Sequence, residues 1–522
     1  MPDAVVIGAG PNGLVAANVL ADRGWDVTVL EARPEPGGAV KSAELIEPGF
    51  VNDVFSAFYP LAVASPVIRS LGLEAHGLRW CRSPVALAHP AADGTCPVVS
   101  TDLDETAASL ETTMTGDGDA WRDLYGQWER IGGPLLESLL SPFPPLRGGM
   151  RLVGATRPSE LVELVRFLML PVRRLGEEEF AGESARRLLA GCALHTDVFP
   201  ESPVGGLTGW LLAAIGQEQG WPVPEGGAGR LTDALVSRLT SAGGKLQCST
   251  PVTGIVVRDG RAVAVRTAAG DEVGAGRAVL ADVTAPALYR DLVGEEHLPG
   301  RVVRALDRFQ WDHATVKVDW TLDAPIPWTA EAARRAGTVH VADSVDTLTL
   351  QAAQLQLGLV PDPPFVIVGQ QGRADPTRAP RGKEAVWAYA HVPQHVRGDA
   401  GDDGITGTWD DADAGRMADR IENEVERLAP GFRSLVRGRH VLTPRSLEAA
   451  DANLHGGATN GGTSQLHQQL VFRPTPGLGR ASTAVRRLFL ASSSAHPGGG
   501  VHGACGANAA RAALGADRFR RR

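Results

Sequence analysis

Cysteine is scarce in this 522-residue chain: five residues, Cys81, Cys96, Cys192, Cys248 and Cys505, with no C-x-x-C pair and no zinc spacing. That excludes a disulfide-stapled secreted scaffold and a thiolate metal centre, and scattered free thiols suit a reducing compartment. Aromatic side chains are only 5% of the total, with four tyrosines. Basic residues are outnumbered by acids, 51 to 60. The resulting net charge of −9, with no basic and aromatic cluster, argues against a nucleic-acid partner. Long hydrophobic runs are missing as well. The longest apolar stretch, Leu161 to Val172, is interrupted by Glu163 and Arg166 and falls short of the ~20 residues a bilayer-spanning helix needs. No signal-peptide pattern precedes the first apolar run, so the expected location is cytoplasmic. The closing "RFRRR", residues 518–522, reads as a solvated end, with peripheral attraction to anionic lipid as the alternative.

Glycine, by contrast, is abundant at 62 residues, and its placement near the start carries the chemistry. "VVIGAGPNGL" begins with a short apolar run, Val5 to Ile7, that reads as a buried parallel strand. Gly8, Gly10 and Gly13 fit G-x-G-x-x-G. An amphipathic helix follows, with Leu14, Ala17 and Leu20 on one face and Gly24 after its end. "WDVTVL" then gives a second strand closing on Glu31. Each glycine has its own reason: a tight turn at Gly8, backbone approach to a pyrophosphate at Gly10, close helix–strand packing at Gly13. The helix N-terminus offers free N–H groups and partial positive charge to phosphate, and Glu31 is spaced to accept from a ribose diol.

Gly37 and Gly38 complete E-x-x-x-x-x-G-G, an extension typical of FAD proteins. The stretch from Val5 to Val40 resembles the FAD-binding start of the phytoene desaturase-like flavoproteins, which include carotenoid desaturases, isomerases and ketolases. "RRLFLASSSAHPGGGVHGACGANAARAAL" resembles that family's closing signature of strand, THPGGG-V-x-G-like turn and last helix. Gly498, Gly500 and Gly503 match G-x-G-x-x-G a second time, but too little chain follows for another strand and acid. The turn is instead expected to deliver a helix, starting near Gly500 and Val501, to the flavin ring.

The resemblance implies an α/β fold: a Rossmann-like, glutathione-reductase-type βαβ FAD domain assembled from discontinuous segments, with an inserted α+β substrate domain. The expected segments are 1–78, 223–290 and 442–522 for the FAD domain, and 79–222 with 291–441 for the substrate domain. Within the second FAD segment, Leu231, Leu235 and Leu239 mark a helical stripe, and Asp259-Gly260 signals a hairpin turn. An acidic loop, residues 398–415, should lead into a helix from about Arg416 to Leu428. The implied cofactor contacts are Gly8, Gly10, Asn12, Gly13, Glu31, Ala32, Arg33, Gly37, Gly38, Ala39, Val252, Ser492, Gly500 and Val501.

FAD would be the reagent, its N5 taking a hydride from a hydrophobic, isoprenoid or polyene-like small molecule. Such a substrate offers little to hydrogen-bond, so an apolar channel is expected. "FVNDVFSAFYPLAVASPV" (50–67) and "ELVELVRFLMLPV" (160–172) are its candidate linings, with ordinary core helix as the bland reading of each. His496 and His502 flank the glycine turn as candidate acid or base groups, against simple capping roles. No metal spacing occurs, and Ser492 to Ser494 lack a nucleophile elbow. Two departures stand out: serines stand after the last strand where many FAD enzymes carry a Gly-Asp pair, and Asn460 stands where the family usually has a histidine. Competing readings are an amine oxidase-like enzyme, a redox-neutral isomerase and a non-catalytic flavin-binding protein.

Overall fold

The computed structural model describes residues 1–521; Arg522 and the side chains from 519 onward, and with them most of the cationic tail, lie outside the described residues. The chain opens with β1 (Ala4–Ile7), α1 (Pro11–Ala21) and β2 (Val27–Leu30), then leaves through β3 (Val85–Ala88) and β4 (Val98–Val99). A helical stretch follows, including α2 (Asp117–Leu140), α3 (Leu146–Ala155) and α4 (Leu161–Met169). The chain returns with α5 (Gly229–Ser241), β5 (Lys245–Gln247), the hairpin β6 (Val252–Arg258) and β7 (Arg261–Thr267), and β8 (Ala278–Ala281). A second excursion comprises β9 (Ala314–Leu322), β10 (Ala336–Val341), β11 (Val366–Gly369), β12 (Glu384–Val392), α6 (Asp411–Leu428) and β13 (Val436–Leu442). The last elements are β14 (Leu488–Leu490) and α7 (Ala504–Arg521).

Five strands from three distant stretches form one parallel sheet in the order β14-β8-β1-β2-β5. Four of its strands are short and buried, as a parallel sheet covered on both faces requires, while the edge strand β5 is polar and largely exposed. One face packs on α1, α5 and α7 through Leu14, Leu20, Leu231, Leu235, Leu239 and Ala507. The other packs on the β6–β7 hairpin through Ile255, Ala262 and Val265. Positive φ at both Asp259 and Gly260 closes that hairpin with the twist that two-residue turns favour. This is the glutathione-reductase-type arrangement in an α/β chain.

The excursions build a second, seven-stranded sheet, β13-β9-β12-β11-β10-β3-β4, antiparallel except where β10 runs beside β3. Alternate residues of β9 and β12 (Val316, Val318, Val386, Ala388) pack against Met417, Ile421 and Val425 of α6. By the two-residue period, Thr315, Lys317 and Asp319 of β9 and Trp387, Tyr389 and His391 of β12 share the opposite face. The helix α6 starts at Asp411, five residues before the expected Arg416. Asp410 caps it by accepting from the N–H groups of Ala412 and Asp413, and acids in the first turn suit the helix dipole. Among the described residues, no helix is long and apolar enough to cross a membrane.

Candidate functional site

The site assembles at the carboxyl ends of four adjacent parallel strands, where such sheets bind their ligands. Gly8, directly after β1, has φ +92°, and its N–H donates to the Leu30 carbonyl. A Cβ on Gly13 would stand 2.2 Å from the Gly8 carbonyl oxygen, so α1 can close on the strand only without one. Glu31 directly follows β2 with both carboxylate oxygens oriented: Oε2 accepts from the Ala9 N–H at 2.7 Å and Oε1 from the Arg33 N–H at 2.8 Å. Ala32 and Arg33 are exposed, and the Arg33 guanidinium reaches the Ala449 carbonyl. The Gly37 N–H donates to the Ala9 carbonyl, and Ser56 Oγ donates to that of Ala39. Val252 pairs with Thr267, while Thr250 N–H, two residues earlier, donates to the Glu31 carbonyl.

Gly10 has a neighbour the sequence did not suggest. A Cβ there would lie 2.7 Å from Oδ2 of Asp282, the residue that follows β8. The same Oδ2 accepts from the Gly13 N–H at 2.7 Å, so a carboxylate already sits at the α1 N-terminus. On the other side, a Cβ on Gly38 would stand 3.1 Å from the Gly10 Cα. Burial pushes the Asp282 carboxyl up to about 7; the Gly13 N–H pulls it down, while Asp451 and Glu31 push it further up. Asn453 brackets the same corner, donating to the Asp282 carbonyl and accepting from the Thr284 N–H. Asp282 and Asn453 were missed. The available signal was an acid at the carboxyl end of a parallel strand.

At the closing turn, Ser492 Oγ accepts from the Ser494 N–H, and Ser494 Oγ donates to the Gly461 carbonyl. The helix α7 begins at Ala504, not near Gly500 and Val501. Positive φ at Gly498, Gly500 and Gly503 keeps this stretch out of a helix, and His502 Nδ1 caps α7 by accepting from the Ala504 N–H. His496 Nε2 donates to the Ser141 carbonyl. Burial holds both imidazoles at about 4, so they are neutral at physiological pH and already engaged in structural hydrogen bonds. Behind the turn, the fully buried Arg473 donates to the carbonyls of Asn460, Thr463 and Ser493 at 2.7, 2.8 and 2.9 Å. Asp312 accepts from the N–H groups of Thr459, Asn460 and Gly462. This pair locks the 459–463 loop, where Asn460 replaces the expected histidine, against the glycine turn.

Of the two expected channel linings, only one reaches this turn. Leu61 comes within 2.7 Å of where a Gly500 Cβ would lie, and Phe58 packs on Trp387 with ring centroids 6.1 Å apart. Trp387 stacks on Tyr389, and Lys317 lies over the Trp387 ring while paired with Asp319. The 160–172 stretch instead turns Val162, Val165 and Met169 to solvent and buries Leu164 and Phe167.

FAD fits these residues. Asn12 Oδ1 is buried without a partner at the α1 N-terminus, Gly10 and Gly38 leave a cradle that any Cβ would fill, and Glu31 stands at the strand end. Among the described residues no group of three or more metal-ligating side chains could hold an ion. The fold and this corner define an FAD-binding α/β oxidoreductase with an inserted, sheet-walled second domain.

Comparison with known proteins agrees. The family described as flavin containing amine oxidoreductase matches residues 12–514, and the chain belongs to it. It is an FAD-dependent oxidoreductase. It is 30% identical over 550 residues to a Rattus norvegicus protein called pyridine nucleotide-disulfide oxidoreductase domain-containing protein 2, covering 97% of this chain and 92% of that one. It is 26% identical over 532 residues to a phytoene desaturase (lycopene-forming) from Pseudescherichia vulneris, covering 98% and 99%. An oxidoreductase from Methanosarcina mazei shares the fold, with a TM-score of 0.64 at 16% identity over 98% of this chain and 99% of that one.

Glu31→Ala is expected to weaken FAD binding by about 1–3 kcal/mol, the range for leaving buried hydroxyls unpaired. Titration of apoprotein with FAD checks this, and an unchanged affinity would remove Glu31 from the ribose contact.

Proposed function

We propose that the protein oxidises a hydrophobic, isoprenoid or polyene-like molecule by removing a hydride and a proton from adjacent carbons, leaving a double bond. Segments 1–78, 223–290 and 442–522 carry FAD, and segments 79–222 and 291–441 the substrate. FAD, when bound, supplies the hydride acceptor. The chain's residues bind and orient: Gly8 to Gly13 and Asn12 at the pyrophosphate, Glu31 to Arg33 at the ribose, Val252 toward the adenine. Gly37 to Ala39 would hold the dinucleotide where it runs past the adenosine, Ser492 would stand at the ribityl chain, and Gly500 and Val501 at the flavin ring. The observation that carries the substrate reading is the apolar and aromatic group of Phe58, Leu61, Trp387 and Tyr389, which meets the glycine turn through Leu61. The acid on that face, Asp319, is paired with Lys317 through Oδ2.

Lipids and pigments from cells with and without the protein, compared by mass spectrometry, test this reading. The expected product is an apolar compound lacking two hydrogens relative to its precursor. Changes confined to amines and their aldehydes would instead establish the amine oxidase reading.

The glycine turn should also tune the cofactor. A bulky side chain at Gly500 meets Leu61 and displaces the turn's N–H groups. Gly500→Leu is therefore expected to lower the flavin midpoint potential by tens of millivolts with FAD retained, about 30 mV for each 1.4 kcal/mol lost. A potential within a few millivolts of wild type would make the turn mere packing.

A further inference from the structure

Gly499 is a glycine that backbone freedom does not explain. Gly498 and Gly500 on either side have φ +111° and +98°, whereas Gly499 has no left-handed φ. Its reason is space. A Cβ on Gly499 would stand 2.3 Å from Oδ1 of Asn460 and 2.9 Å from the Cβ of that residue. The closing turn is therefore shaped to receive one asparagine side chain.

Asn460 is not free to turn away. Its backbone N–H and its Nδ2 both donate to Oδ2 of Asp312, at 2.9 and 3.2 Å, and its carbonyl accepts from Arg473 at 2.7 Å. A carboxylate only accepts, so Nδ2 must face Asp312 and Oδ1 is left facing Gly499. Asp312 and Arg473 are fully buried, where water does not compete for these bonds. A second acid completes the clamp. Asp197, from the first excursion, accepts from Thr463 Oγ1 and from the Ser464 N–H, while Asp312 stands two residues before β9 of the second. Carboxylates from both excursions thus hold the 459–464 loop, and through Asn460 the loop bears on the turn.

The turn has donors to offer. Gly499, Gly500 and Val501 give their N–H groups to no described residue. Successive backbone N–H groups of this kind favour negative charge, and their worth depends on being held in place before the charge develops.

We propose that Asn460 is a positioning residue for the flavin: anchored on Asp312, its amide splints Gly499 and holds the N–H groups of the turn against the reduced ring. This rests on the reading that places the flavin ring at the turn. It gives a task to the asparagine that stands where the family usually has a histidine.

The test is the midpoint potential of FAD-loaded wild type, Asn460→Ala and Gly500→Leu, measured by equilibration with a reference dye. Asn460→Ala removes the amide but leaves the backbone bonds to Asp312 and Arg473, and it changes no charge. Its potential is expected to fall by the equivalent of a roughly tenfold loss of preference for reduced over oxidised flavin, about 30 mV for this two-electron couple. Asn460→Ser, too short to splint Gly499, should give the same shift and carries the measurement if the alanine variant does not fold. A lower melting temperature with the wild-type potential would overturn the proposal and leave Asn460 a packing residue. Gly500→Leu shifted while both Asn460 variants stay at the wild-type value would overturn it too, with the flavin still at the turn. All variants at the wild-type potential would remove the flavin ring from the turn, and the splint with it.

Discussion

Gly10→Val is expected to yield folded but colourless protein, with flavin content falling from one per chain to near zero. Two crowding effects act at this position. The new side chain meets the Asp282 carboxylate, whose Oδ2 would lie 2.7 Å from the Cβ alone, and it closes the gap to Gly38. Overpacking of this kind costs about 1–3 kcal/mol. The displaced Asp282 also loosens its hydrogen bond to the Gly13 N–H, disturbing the helix end that the phosphates need. Together these predict a fall in FAD affinity of at least about a hundredfold. Acid precipitation of wild type should release all of its flavin, giving the reference stoichiometry. A Gly10→Val protein with wild-type flavin content would sink the cradle assigned to Gly10.

The second large effect belongs to Asp282 and depends on pH. Its carboxyl titrates at about 7 in the folded protein, against about 3.9 in an unfolded chain. The folded state therefore binds more protons than the unfolded state between those values. Stability from this group is fully present below about pH 4, falls as pH rises through about 7, and is flat above. The loss is on the order of 2–4 kcal/mol. Asp282→Asn keeps an acceptor for the Gly13 N–H but cannot ionise, so the variant should lose this slope and be the more stable protein above pH 7. Asp312, Asp319 and Asp451 are also raised by burial, so the difference between wild type and variant isolates the Asp282 contribution. FAD brings two phosphates to the same helix end, where an ionised Asp282 opposes them. Wild-type FAD affinity should thus weaken as pH rises past 7, whereas that of Asp282→Asn should not. Denaturant melts and FAD titrations below and above pH 7 check both. Parallel pH profiles for the two proteins would remove Asp282 from the account.

What was legible in the sequence is what is local. Gly8 to Glu31 spells strand, turn, helix and strand within one continuous stretch, and the structure folds it as one. Asp282 belongs to the same corner but lies 269 residues from Gly13, and only the pairing of β8 beside β1 brings it there. The local signal in "LADVT" is only that an acid follows an apolar strand; which corner it enters is set by that pairing. The same holds for Arg473 and Asp312, whose partners are mostly backbone groups of a loop and a turn. The start of α7 was read four residues early, because the three glycines that prevent a helix also looked like part of a helix-opening motif. An apolar stripe, finally, names a face but not what it faces: Val162, Val165 and Met169 read as lining or core and turned out toward solvent.

The central claim, oxidation of an apolar substrate by the bound FAD, is tested most directly by anaerobic mixing. Purified protein is combined with the apolar compound that the lipid comparison identifies, with no other electron donor or acceptor present, and its visible flavin absorbance is followed. The account predicts stoichiometric bleaching by that compound alone, with one double bond formed per flavin reduced. Turnover that requires the flavin to be reduced beforehand, with no net change in the compound's hydrogen count, would contradict it and establish isomerisation. Absorbance unchanged under every condition would contradict it in favour of a flavin-binding protein without this chemistry.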